Sequence, residues 1–101
     1  MDGGIKMNKR EHLLTCLIEE CAEIQKSACK ALRFGENDHH PEVETLNIDE
    51  LAYEIDDSLG VIELLREEGV LPRDTNPERI VNKKLKVLKY MDYAKHVGAL
   101  K

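Results

Sequence analysis

Apolar residues recur at helical spacing in three stretches of this chain, and two turn-rich segments separate them. In the first stretch Leu13, Leu14, Leu17, Ile18, Cys21, Ile24, Ala28, Ala31 and Leu32 form a stripe wide enough to meet more than one neighbour. The pattern predicts a helix from about Asn8 to Phe34, with Asn8 as N-cap and Gly35 as the residue beyond its end. Residues 1–7 read as a loose leader. Gly35 to Leu46 reads as a surface loop, because Asn37, Asp38, His39, His40 and Pro41 disfavour regular structure. Adjacent histidines in such a loop seldom converge on one ion, so His39 and His40 read as loop residues.

The second helix opens at Asn47-Ile48-Asp49-Glu50, where Asn47 and Glu50 have the spacing of a capping box. Leu51, Ile55, Leu59, Ile62 and Leu65 make its apolar seam. It should stop near Glu68, with Gly69 and Pro72 beyond. Gly60 lies in mid-helix, where glycine costs about 1 kcal/mol relative to alanine, so it reads as a point of close helix approach. Asn76-Pro77 starts a third helix, a cap followed by proline at the first helical position, running to about His96. Its apolar positions are Ile80, Val81, Leu85, Leu88 and Met91, widened by Val87, Tyr90, Ala94 and Val97. No strand-like alternation or internal repeat interrupts the pattern. The predicted fold class is all-α: a bundle of three main helices per chain, with a four-helix-type core completed by oligomerisation.

At 101 residues a single domain spanning 1–101 is expected, and a core this small has little margin. Hydrophobic residues make up 42% and charged residues 35%, which suits a helix-rich globule rather than a disordered chain. The formal net charge of −5 argues against nucleic acid as the main partner. It leaves room for a phosphate ligand, since a bound cation reverses the local field. No apolar run approaches the roughly 18 residues of a membrane span, and no signal peptide is read at the N-terminus. Cys16, Cys21 and Cys29 share one predicted helix without a CxxC spacing and are poorly placed for a disulfide. They read as small core-filling thiols in a reducing, cytoplasmic setting.

Against this background the acids stand out. Glu19, Glu20 and Glu23 fall on one face of the first helix, within an arc of about 100°. Glu50, Glu54 and Asp57 lie on a strip about 60° wide on the second. Glu50 has a local capping role available, which leaves two carboxylate pairs, Glu20/Glu23 and Glu54/Asp57. Each pair spans three residues, so its side chains are neighbours on the helix surface. Four carboxylates brought together repel one another and lose solvation, and a hard divalent cation such as magnesium or manganese relieves both. Solvated faces satisfied by Lys26, Lys30 and the third-helix lysines are the plain alternative. Lys26, Lys30 and Arg33 continue the Glu23 face, and Lys83 and Lys86 form a basic strip on the third helix. Cations beside an acidic metal cage suit a polyphosphate.

Glu19-Glu20-Cys21-Ala22-Glu23 followed by Glu54-Ile55-Asp56-Asp57 resembles the EExxE…ExxD signature of the all-α nucleoside triphosphate pyrophosphohydrolases, the MazG-like superfamily. The segment Lys30-Ala-Leu-Arg33-Phe-Gly35 and the run Lys83-Lys84-Leu85-Lys86…Lys89-Tyr90 are similar to the short bacterial and phage members, so the likeness spans roughly residues 12–93. The resemblance implies magnesium-dependent hydrolysis of a (deoxy)nucleoside triphosphate to monophosphate and diphosphate, for nucleotide-pool control or house-cleaning. It implies metal ligation by Glu20, Glu23, Glu54 and Asp57, with manganese a possible substitute. Glu19 and Glu20 then stand at the catalytic positions, Glu19 orienting or deprotonating water. Lys30, Lys83 and Lys86 would hold phosphates, in a homodimer or homotetramer. This chain departs from some relatives in carrying Glu50 where they have a basic residue, and in lacking tryptophan. Phe34, Tyr53, Tyr90 or Tyr93 would have to meet the base. The alternative from another class is a non-catalytic helical interaction or regulatory module; a third is a phosphatase or triphosphohydrolase using the same cage.

Overall fold

A computed structural model describes residues 6–101 as three helices: α1 (Lys9–Phe34), α2 (Asn47–Glu67) and α3 (Pro77–His96). No strand occurs among the described residues. Most of the leader read at 1–7 lies outside them.

The start of α1 follows its sequence. Asn8 accepts from the Glu11 amide at 2.8 Å, and the Glu11 carboxylate accepts from the Asn8 amide at 3.3 Å, which completes a capping box. The helix ends at Gly35, whose φ of 105° is open to glycine and strained for other residues. At α3, Asn76 accepts from the Arg79 amide at 3.0 Å, with Pro77 in the first turn.

The start of α2 differs from the expected capping box. Leu46 is the N-cap, no side chain caps the helix, and Asn47 is already its first residue. Asn47 is buried and turned the other way: its side-chain amide donates to the Gly35 carbonyl at 2.9 Å, and its backbone N–H donates to the Asp38 carbonyl at 2.8 Å. The Gly35 carbonyl, which also accepts from the Asp38 N–H at 3.3 Å, takes the Asn47 side chain, so the amide ties the two helix ends together instead of capping α2.

α1 and α2 form an antiparallel hairpin. The Asn47–Gly35 bond closes the loop end, and an ion pair of 2.9 Å between Lys9 Nζ and Glu68 Oε1 closes the open end. The buried residues of the hairpin are small or central: Leu13, Ser27 and Ala31 on α1, Asn47, Ser58 and Leu65 on α2. Ser58 satisfies its hydroxyl by donating to the Ile55 carbonyl at 2.6 Å. Gly60 is not a point of close approach within the chain, since a methyl group there would meet nothing within 4 Å. Nor are the thiols core-filling: Cys16 is half-buried, and Cys21 and Cys29 are exposed, all three free.

Much of the predicted apolar seam is uncovered in the single chain. Leu14 and Ile18 on α1 and Ile55 and Leu59 on α2 are exposed, and α3 has no buried residue. α3 packs against neither α1 nor α2. The radius of gyration is 18.1 Å, where a compact chain of this length would have about 13 Å. One chain therefore holds a helical hairpin plus a third helix standing away from it.

Candidate functional site

The hairpin's register decides which acids meet. The packing of α1 on α2 sets the middle of one helix against the middle of the other. Glu20 and Glu23 then lie across from Asp57 and Glu54. One carboxylate oxygen each from Glu20, Glu54 and Asp57 lies within 4.8 Å of the other two. Glu20 and Glu54 are half-buried and Asp57 is exposed. Glu20 Oε2 is shut off from solvent and has no hydrogen-bond partner. Such an orphaned acceptor loses its hydration without compensation unless a cation or donor meets it.

The electrostatics agree with that geometry. The Glu54 carboxyl is held above its ordinary value, first by partial burial and then by the negative charges of Glu23, Asp57, Glu20 and Glu50. A carboxylate with four acidic neighbours is where a bound cation would be most welcome. The donor set consists only of carboxylate oxygens, which suits a hard divalent cation such as magnesium or manganese. On these grounds the residues fit such an ion.

The remaining sequence-derived residues take distinct places. Glu23 is exposed and is not one of the three convergent acids. It lines an adjoining groove of about 290 Å³ together with Lys26, Ser27, Lys30, Thr45, Glu50, Tyr53 and Glu54. Glu19 is exposed beside the cluster rather than within it. Lys30 borders the groove and stands 4.0 Å from Glu50, an ion pair at the limit of contact. It also borders a second cavity of about 310 Å³, lined by Phe34, Asp38, His39, His40, Pro41 and Asn47. There the histidines serve the loop: His39 Nδ1 lies 2.9 Å from the His40 carbonyl, and His40 Nδ1 accepts from the Glu42 amide at 3.1 Å.

Lys83 and Lys86 sit with Arg79 and Asn82 on α3. Lys83 also lines a hollow with Arg66 near the end of α2, but α3 does not pack along either acid-bearing helix and the two lysines line neither the acidic cluster nor its groove. Of the aromatic residues, Tyr53 lines the acidic groove and Phe34 the histidine cavity, while Tyr90 and Tyr93 remain on α3. Two groove residues escaped sequence reasoning. Ser27 carries a usable signal, since it continues the Glu20/Glu23 strip by one turn. Thr45 carries none, because it arrives from the loop.

No family model, curated protein or solved structure matches the chain. The functional reading therefore rests on the double carboxylate motif and on its geometry.

Proposed function

We propose that this protein is a divalent-metal-dependent nucleoside triphosphate pyrophosphohydrolase. It converts a (deoxy)nucleoside triphosphate and water to the monophosphate and diphosphate. The observation that carries this reading is the convergence of Glu20, Glu54 and Asp57 from two helices, with one buried carboxylate oxygen left without a partner. Glu20, Glu54 and Asp57 would hold magnesium or manganese, with Glu23 at the edge toward the groove. A divalent ion there supplies Lewis acidity toward phosphate oxygens and water.

The chain's own residues do the rest. Lys26 and Lys30 line the groove beside the acids and neutralise phosphate oxygens. Tyr53 offers an aromatic face on the same groove. Glu19, exposed next to Glu20, accepts the proton of the attacking water. The water oxygen bonds to the α-phosphorus as the bond to the bridging oxygen breaks, and diphosphate leaves. The working unit in this reading is a homodimer or homotetramer in the cytoplasm.

Incubation with each deoxynucleoside triphosphate and magnesium, with monophosphate, diphosphate and orthophosphate quantified, tests the reading. Diphosphate in step with monophosphate is the expected result; orthophosphate instead would mean a phosphatase or triphosphohydrolase. No turnover of any nucleotide by the assembled protein would leave the alternative, a non-catalytic interaction module. One observation favours that alternative, the uncovered apolar face of α3.

A further inference from the structure

A second concentration of charge, opposite in sign to the carboxylate cluster, lies where the end of α2 faces the start of α3. Arg66, Arg79, Lys83 and Lys84 line one hollow of about 470 Å³ together with Thr75 and Asn76, and no acid lines it. Small-molecule sites commonly have volumes of roughly 300–1,000 Å³. Four cations in one hollow run against the formal net charge of −5. They are also unanswered. The ion pairs among the described residues join Lys9 to Glu68 and Lys30 to Glu50, and none of the four takes part.

Arg66 is the centre of the hollow. It is half-buried, and its Nε is shut off from solvent without a hydrogen-bond partner. A guanidinium cannot escape the cost of burial by losing its proton, as a lysine can. A partly buried charge with no counter-ion is therefore the costly arrangement, and an anion beside it relieves that cost. Arg79 and Lys83, four residues apart on α3, are neighbours on its surface. Asn76 accepts from the Arg79 amide through Oδ1, which leaves its side-chain N–H groups as donors, and the Thr75 hydroxyl is another. The first turn of α3 is already capped by Asn76 and begins with Pro77, so side chains rather than the helix end make this hollow.

The hollow is separate from the acidic site. Arg66 lies nine residues beyond Asp57 on α2, roughly 13 Å along the axis. None of Glu20, Glu54 and Asp57 lines it. A planar guanidinium matches two oxygens of a phosphate, and the ammonium groups beside it answer further charge. A multiply charged oxyanion suits four cations better than a single carboxylate does. The excess of acids over the rest of the chain disfavours the long backbone of a nucleic acid. We propose that this hollow binds a small phosphorylated ligand by its terminal phosphate or diphosphate group, without a metal ion. Arg66, Arg79 and Lys84 are its main contacts, with Lys83 at the rim. The proposal does not rest on the function proposed above.

Diphosphate alone is the probe, titrated calorimetrically into the full chain with EDTA present, so that no metal carries it to the carboxylates. Saturable binding is expected. Arg66→Gln, Arg79→Gln and Lys84→Gln should each weaken it about tenfold or more, the worth of one charge-assisted hydrogen bond. Lys95→Gln, on α3 outside the hollow, should leave it unchanged. Arg79 and Lys84 are exposed, so their variants keep the test decisive if Arg66→Gln fails to fold. No saturable binding overturns the proposal, as does binding that survives the three substitutions. Equal weakening by Lys95→Gln would mean an adventitious ion only. A single-stranded oligonucleotide that binds through these residues more tightly than diphosphate would replace the small ligand with a nucleic-acid backbone. With EDTA present nothing is hydrolysed, so an inactive protein can pass this test and an active one can fail it.

Discussion

The side-chain amide of Asn47 donates to the carbonyl of Gly35 at 2.9 Å, and this bond joins the first residue of α2 to the residue that ends α1. Its consequence lies several turns away. The bond closes the loop end of the hairpin, and the buried Leu13, Ser27 and Ala31 of α1 with Ser58 and Leu65 of α2 hold the register along its length. In that register Glu20 meets Glu54 and Asp57.

Asn47→Asp separates this role from capping. Aspartate is as good an N-cap as asparagine, but it cannot donate to a carbonyl. Both Asn47→Asp and Asn47→Ala should destabilise the protein by about 1–3 kcal/mol, the aspartate variant no less than the alanine one. Urea unfolding at neutral pH measures it; a harmless Asn47→Asp would mean that the residue caps after all.

Glu54 gives a pH prediction. Its folded carboxyl holds its proton more tightly than the unfolded one. Its contribution to stability is thus fully present below the unfolded value and is lost as pH rises through the raised folded value. Without divalent metal, Glu54→Gln should melt at or above the wild type at pH 7, and this difference should shrink on acidification through the raised value. Thermal melts of both proteins from pH 4 to 8 check the sign.

Magnesium should act on the same carboxylates. An ion at a hundredfold excess over its Kd stabilises the folded state by about 2.7 kcal/mol, upwards of roughly 10 °C for a chain of this size. Glu20→Gln, Glu54→Gln and Asp57→Asn should each abolish most of that gain. Calorimetric melts with and without magnesium decide it, and a gain that survives all three substitutions places the ion elsewhere.

Glu19 and Glu20 should part company in such experiments. Glu20→Gln is expected to lose the magnesium-dependent gain and to lower kcat by at least ~10²-fold. Glu19→Gln should keep the gain while lowering kcat by ~10–10²-fold at similar KM. Equal loss of the gain in both variants would make Glu19 a ligand.

Leu65 and Leu88 should differ in a way that protein concentration reveals. Leu65 is fully buried within the hairpin, so Leu65→Ala should cost about 2–5 kcal/mol at every concentration. Leu88 is exposed in the chain alone, so its truncation should act only through assembly, as a midpoint that falls more steeply on dilution than the wild type's. Urea curves at two protein concentrations a hundredfold apart distinguish the two cases.

Local features were legible because their causes are local. The Asn8 cap, Gly35 and Asn76-Pro77 mark three helix ends within a few residues of where the structure has them. The acid pairs were legible for the same reason: spacing of three along a helix makes neighbours wherever that helix goes. Asn47 was misread because its partner is a carbonyl 12 residues away, and composition around Asn47-Glu50 cannot register that carbonyl. Gly60 and the cysteines were misread because burial was inferred from an apolar stripe, and much of that stripe stays exposed in the chain.

By itself, then, the sequence determined three helices, their ends, and the placing of acids and bases on particular helix faces. All of these follow from backbone propensity and a 3.6-residue period. Tertiary structure alone decided the pairing of α1 with α2, the register that gathers Glu20, Glu54 and Asp57, and the separation of α3 and its lysines from them. Those depend on contacts between residues far apart in the chain, whose energies no local window contains.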